Sequence, residues 1–212
     1  VQKRPPFLEH VKKEHFELIR SWGFNVIRFL IVWEAIEPEK GKYNREYLQK
    51  LRSCVSMAID AGLYVILDMH QDLYSRVFGG NGAPSWACVD DLVEPNERRT
   101  PWYMTYFTKE VCASFDRFWK DEQLQEHFCK AWQEVVKIFK DEPGVAGYEI
   151  LNEPFHGSTP PPLFDGTLLT KFYRKVIRAI REIDSRHIVF IQPSITSAGG
   201  LPSSLKNPGD DN

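Results

Sequence analysis

Four times in this chain an apolar run of strand length ends abruptly on polar residues, and between the runs the sequence takes up the rhythm of a helix. The runs occupy residues 24–32, 63–67, 145–151 and 187–191. They are apolar at successive positions as well as alternate ones, which predicts strands covered on both faces, as in a parallel sheet flanked by helices. Parallel neighbours cannot be joined by a tight turn, so each pair needs a crossover, and the helical stretches supply it. Residues 7–22, 44–61, 125–140 and 168–183 carry apolar side chains at helical spacing. Asn44 stands where a helix would be capped, and Gly23 and Gly62 stand where helices would stop.

Between residues 73 and 124 this rhythm fails. Gly79-Gly-Asn-Gly-Ala-Pro84, Trp86, Pro101-Trp-Tyr103, Phe115, Phe118 and Trp119 crowd into an inserted, aromatic-rich loop region. A connection of that length is usually functional, a lid or one wall of a cleft. The alternation of helix and strand, with no GxGxxG after the first strand, favours a closed barrel over a nucleotide-binding open sheet. The fold class is therefore α/β, a TIM (β/α)8 barrel. It reads as incomplete, because a whole barrel takes about 250 residues and eight strands. The opening helix implies one strand upstream, so about strands 2–5 are present and residues 1–212 form the N-terminal portion of a single catalytic barrel. Such a half-barrel would expose an unpaired strand edge and need a covering partner or solubilise poorly.

Composition removes some function classes. A formal charge of -2 with scattered basic residues gives no footprint for nucleic acid. No apolar run is long enough to span a membrane, and residues 1–212 contain no secretory signal; the chain opens on Val1-Gln-Lys-Arg-Pro-Pro like a piece of something longer. The compartment is left open. Cys54, Cys88, Cys112 and Cys129 lack metal spacing; Cys88 and Cys112 either pair in an oxidising compartment or, like the others, remain buried thiols. The 6 tryptophans matter more, because exposed indoles are stacking platforms for sugar faces, and Trp119 and Trp86 are the candidates.

Polar residues at strand tips are where a (β/α) barrel keeps its chemistry. Here they are Arg28, Asp68, His70, Gln71, Asp72, Asn152, Glu153 and Gln192. Asp68-x-His70-x-Asp72 has the look of a metal cluster, but a catalytic metal needs about three protein ligands and the only other histidine near a strand tip, His156, lies beyond Pro154. No metal and no cofactor is expected. Asp72 and Arg76 are placed to pair across a turn. Carboxylate chemistry fits better: cleaving a glycosidic bond takes one carboxylic acid to protonate the leaving oxygen and a second carboxylate as nucleophile or base. Glu153 suits the acid, and Asn152 beside it suits a sugar 2-hydroxyl.

Asn152-Glu153-Pro154, Arg28 in Val26-Ile-Arg28 and His70 in Asp68-Met-His70 resemble the pattern of the clan A retaining glycoside hydrolases of family 5, the cellulase family. Trp33-Glu-Ala-Ile-Glu-Pro38, Asp68-Met-His-Gln-Asp-Leu-Tyr-Ser-Arg76 and Gly79-Gly-Asn-Gly-Ala-Pro-Ser-Trp86 are similar to the endoglycoceramidases and their glucosylceramidase and steryl-glucosidase relatives. The resemblance implies a retaining β-glycosidase acting on a glycolipid, glycosylceramide or steryl glucoside, with peripheral membrane association through that lipid. It implies Glu153 as acid/base, Asn152 and His70 at the sugar beside the cut, Asp68 on sugar hydroxyls and Arg28 as support for the nucleophile. The family's nucleophile is a Glu at the seventh strand, and after Glu153 only Glu182 remains, inside a helix. The 212 residues alone are therefore expected to be inactive. The alternatives are a polysaccharide endo-β-glucanase or mannanase of the same family, and a non-catalytic glycolipid-binding or interaction module.

Overall fold

The computed structural model describes residues 7–89 and 101–210. In chain order the elements are α1 (Lys13–Ser21), β1 (Val26–Ile31), α2 (Trp33–Ile36), α3 (Arg45–Asp60), β2 (Tyr64–Met69), α4 (Lys109–Lys120), α5 (Glu122–Phe139), β3 (Val145–Glu149), α6 (Pro161–Phe164), α7 (Thr170–Arg181) and β4 (Ile188–Phe190). The four strands form one parallel sheet in the order β1-β2-β3-β4, flanked by helices, which is the arrangement of part of a (β/α) barrel. Asn44 caps α3 as expected, its side chain accepting from the Tyr47 N–H at 3.0 Å. Asp121 does the same for α5, accepting from Gln123 and Leu124.

Two expectations are corrected. The 73–124 region is not structureless: it holds the twelve-residue α4 and short 3-10 turns, and its residues 90–100 lie outside the described residues. Among the described residues, moreover, the strands are covered on one face only. Side chains alternate along a strand, and the register fixes two rows on one face, Arg28–Ile66–Gly147–Ile188 and Leu30–Asp68–Glu149–Phe190. On that face Val26, Leu30, Tyr64 and Ile188 are exposed. The other face is buried: Phe29, Ile31, Val65, Leu67 and Tyr148 pack beneath the helices.

The core continues under the long connection as an aromatic cluster. Trp33, Tyr74, Phe115, Phe118, Phe128 and Phe172 meet there at centroid separations of 4.9 to 6.3 Å, mostly edge to face. Such pairs add about 0.5–1.5 kcal/mol each beyond area burial. At the other end of the sheet Tyr148 donates to Asp184 at 2.8 Å, and Asp184 also takes Nδ1 of His187 at 2.5 Å and the N–H of Arg186. This buried knot ties the α7–β4 turn to β3, away from the strand tips.

Candidate active site

Arg28 is the hub of the site. It rises from β1 on the exposed face of the sheet, and its guanidinium forks onto Glu149 of β3: Nη2 to Oε1 at 3.0 Å, and Nε to Oε2. The same Nη2 reaches Oδ1 of Asn152 at 2.9 Å and Oδ2 of Asp68 at 3.1 Å. A buried carboxylate needs such a partner, and here one cation serves two, Glu149 and the fully buried Asp68. Glu149 is not among the strand-tip residues that the sequence picks out. The signal was available, since a Glu inside an apolar run, on the face that carries Arg28, is the carboxylate a half-buried Arg requires.

Asp68 holds His70 as well. Its Oδ2 lies 2.7 Å from His70 Nδ1, and Asp72 Oδ2 lies 3.3 Å from Nε2. Burial alone would lower the imidazole pKa, but the hydrogen bonds to the two carboxylates raise it to about 9, so His70 is a cation at neutral pH. Burial in turn pushes the Asp68 carboxyl above the usual range, against the pull of His70 and Arg28. Among the described residues no three His, Cys, Asp or Glu side chains are grouped to hold a metal ion.

The Asn152-Glu153-Pro154 turn is clamped by two amides. Gln71 donates from Nε2 to the carbonyls of Asn152 and Glu153 at 3.0 and 2.9 Å, while its Oε1 accepts from the Tyr74 N–H. Gln192, at the end of β4, accepts the Glu153 N–H on Oε1 at 3.0 Å and donates from Nε2 to Glu149. Glu153 has φ +42°, the left-handed region that a non-glycine residue avoids. Its carboxylate makes no hydrogen bond to a described residue. Asn152, by contrast, is buried, donating to the Gln71 carbonyl at 3.0 Å and accepting from Arg28.

The glycine-rich motif after β2 shapes the loop that presents Asp72. Asp72 and Asn81 exchange backbone hydrogen bonds at 3.1 and 2.9 Å, and Asn81 Nδ2 donates to Asp72 Oδ2 at 3.2 Å. A Cβ on Gly80 would sit 1.8 Å from the Asp72 carbonyl oxygen, so only glycine permits this doubling back. Arg76 does not pair with Asp72; it lies on Glu34, 2.7 Å from Nη2 to Oε1, joining two motifs that the sequence separates. Glu37, in the first of them, is fully buried and accepts from the Trp33 indole, the Gly41 N–H and His127.

Several expected sugar contacts are placed differently. Trp119 is only 4% exposed: its indole N–H donates to the Phe155 carbonyl at 2.9 Å and its ring packs on Phe115, Phe118, Phe164 and Phe172, leaving no free face for a sugar. Trp86 packs edge-on to Trp33 and donates to the Glu37 carbonyl. Asp68 has no exposed surface to offer a hydroxyl and acts instead on His70 and Arg28. The cysteines are thiols, with no disulfide between Cys88 and Cys112. Glu182 lies at the end of α7, where it accepts from Gln133. Beside Asp72 a cleft of about 340 Å³ is lined by Asp72, Leu73, Gly79, Gly80, Asn81 and Trp102. Trp102, one of the aromatics of the inserted region, is 51% exposed, and nothing in the sequence separates it from the buried rings around it.

Residues 6–212 match the model of the family described as cellulase, glycosyl hydrolase family 5. An endoglycoceramidase of Cyanea nozakii is 30% identical over 205 residues, covering 83% of this chain and 41% of that protein. The endo-glycoceramidase II of a Rhodococcus species, solved both as a lactosyl-enzyme intermediate and as a ganglioside GM3 complex, superposes with a TM-score of 0.86 at 35% identity, over 95% of this chain and 49% of that one. The chain thus spans less than half the length of these relatives. On the match over nearly its whole length, the chain belongs to glycosyl hydrolase family 5, the cellulase family, on the endoglycoceramidase-like side.

Proposed function

We propose that the protein carrying this chain is a retaining β-glycosidase that cuts the bond between a sugar and a lipid aglycone, with Glu153 as its acid/base. The observation that supports this reading is the pinned Glu153 backbone just beyond β3, next to Asn152, with a carboxylate that makes no hydrogen bond to a described residue and lies within electrostatic reach of Arg28. In the first step Glu153 gives its proton to the glycosidic oxygen as the bond from that oxygen to the sugar breaks and a second carboxylate bonds the sugar. In the second step Glu153 takes a proton from water as the water displaces that carboxylate. Asp68, Asp72 and Glu149 are each engaged with His70, Arg28 or Gln192, and the nucleophile in this reading is a further carboxylate, the strand-seven Glu that the family resemblance implies.

We place the sugar in the cleft between Asp72 and Trp102, with the Trp102 ring as its platform in place of Trp119. His70 borders it through Asp72: the 3.3 Å contact of Nε2 with the partly exposed Asp72 is the longer of its two and the one a hydroxyl can replace. The lipid aglycone follows the likeness to endoglycoceramidases and brings the enzyme to a membrane surface through its substrate. The test is a hydrolysis panel on the full reading frame with glucosylceramide, lactosylceramide, steryl glucoside and short β-glucans. Cleavage of the glycolipids with retention at the anomeric carbon is expected. Cleavage of the glucans alone would replace the lipid reading by a polysaccharide one, and binding without any cleavage would leave a glycolipid-binding module.

A further inference from the structure

We infer that Glu149 and Gln192 form a positioning pair that sets the conformation of Glu153; this rests on the proposal that Glu153 is the acid/base. A carboxylate only accepts hydrogen bonds, whereas a primary amide has one accepting and one donating end. Glu149 therefore draws the NH2 of Gln192 to itself and turns the amide oxygen outward, and that oxygen receives the Glu153 N–H at 3.0 Å. The body of Gln192 is fixed independently. Its N–H donates to the Tyr173 hydroxyl at 3.2 Å, that hydroxyl donates to its carbonyl at 2.6 Å, and Tyr173 is fully buried in α7. Glu149 is fixed in turn by the fork of Arg28.

From the opposite side Gln71 binds the Glu153 carbonyl, and its orientation is dictated in the same way by the Tyr74 N–H. Both backbone polar groups of Glu153 are thus held by side-chain amides from two different strand ends. A non-glycine residue at φ +42° persists where its surroundings over-determine it, and this pair of clamps does so. The buried charge of Glu149 acts through Gln192 on the peptide of the proton donor without touching substrate.

The experiment uses the full reading frame with three variants: Glu149→Gln, Gln192→Ala and the exchanged pair Glu149→Gln with Gln192→Glu. In Glu149→Gln the amide end facing Glu153 is no longer specified. In Gln192→Ala the clamp is gone while the Arg28–Glu149 pair is intact, which keeps the test open if Glu149→Gln fails to fold. Each single variant is expected to lower kcat on substrates with poor leaving groups by about 10- to 100-fold, the scale of a misplacement of about 1 Å. KM should stay within about two-fold, and activated aryl glycosides, which need no proton, should lose far less. The exchanged pair restores an acceptor facing the Glu153 N–H and should recover the leaving-group dependence. Equal losses on both substrate types, or no recovery in the exchanged pair, would overturn the inference. Crystal structures of the variants supply an arm that does not need turnover. A Glu153 that keeps its left-handed φ and its surroundings in Gln192→Ala overturns the positioning role, even if the parent enzyme proves to cleave no glycoside and the proposed reaction falls separately.

Discussion

Replacing His70 by Asn should flatten the pH dependence of stability between about pH 6.5 and 9. The side chain is 14% exposed, and its hydrogen bonds to Asp68 and Asp72 outweigh burial to bring its pKa from 6.5 to about 9. A folded-state pKa above the unfolded one means that the folded protein binds a proton more tightly. The resulting stability is fully present below about pH 6.5 and lost as pH rises through about 9. At about 1.4 kcal/mol per unit, the shift corresponds to roughly 3 kcal/mol. Urea unfolding at pH 6 and at pH 9.5, for parent and variant, measures it. The difference between the two proteins, not the parent curve alone, is the quantity to compare. Burial also raises the Cys54, Cys112 and Cys129 thiols, which removes stability at high pH by the same linkage and cancels between parent and variant. The parent should lose about 3 kcal/mol more than the variant across the window. Equal losses, or an imidazole midpoint near 6.5 by NMR, would refute the doubly paired cation.

Glu153→Gln should slow hydrolysis of natural glycosides by at least about 100-fold while sparing aryl glycosides with good leaving groups, read from kcat on both. Trp119→Ala, which empties a packed aromatic site, should cost about 3–5 kcal/mol in denaturant unfolding; Trp102→Ala should leave the unfolding midpoint nearly unchanged and raise KM. Tyr148→Phe strips a buried hydrogen bond from Asp184 and should cost about 1–3 kcal/mol. Burial opposes ionisation of Asp184, but hydrogen bonds from Arg186, Tyr148 and His187 hold its carboxyl below the usual range. Its contribution is therefore present above the unfolded carboxyl pKa and lost as pH falls through the folded one, so acid unfolding of Asp184→Asn should be less steep than that of the parent.

The parallel sheet was legible because apolar runs of strand length alternate with helices that carry their own period and cap, as at Asn44 and the stretch 63–67. Arg28 meets Asn152 directly and shares Asp68 with His70. What the sequence hid was which polar residues face one another. Asp68, Glu149 and Arg28 meet across three strands, the outer two of them 121 residues apart, and register, not spacing, brings them together. Trp119 was misplaced because an indole buried against Phe164 and one open to a cleft look alike in sequence. Helix α4 was missed for a related reason: Val111, Phe115 and Phe118 have helical spacing but follow a stretch dense in Gly, Pro and aromatics.

Azide rescue of Glu153→Ala in the full reading frame, with an activated aryl glycoside, would be the decisive assay. The glycosyl-enzyme would form without an acid but wait for a base, and azide, which needs none, should release it from the face that water normally takes. A rise in turnover with formation of the β-glycosyl azide is predicted for an acid/base Glu153. An α-glycosyl azide would mean that Glu153 is the nucleophile, and no rescue at all would remove it from the reaction.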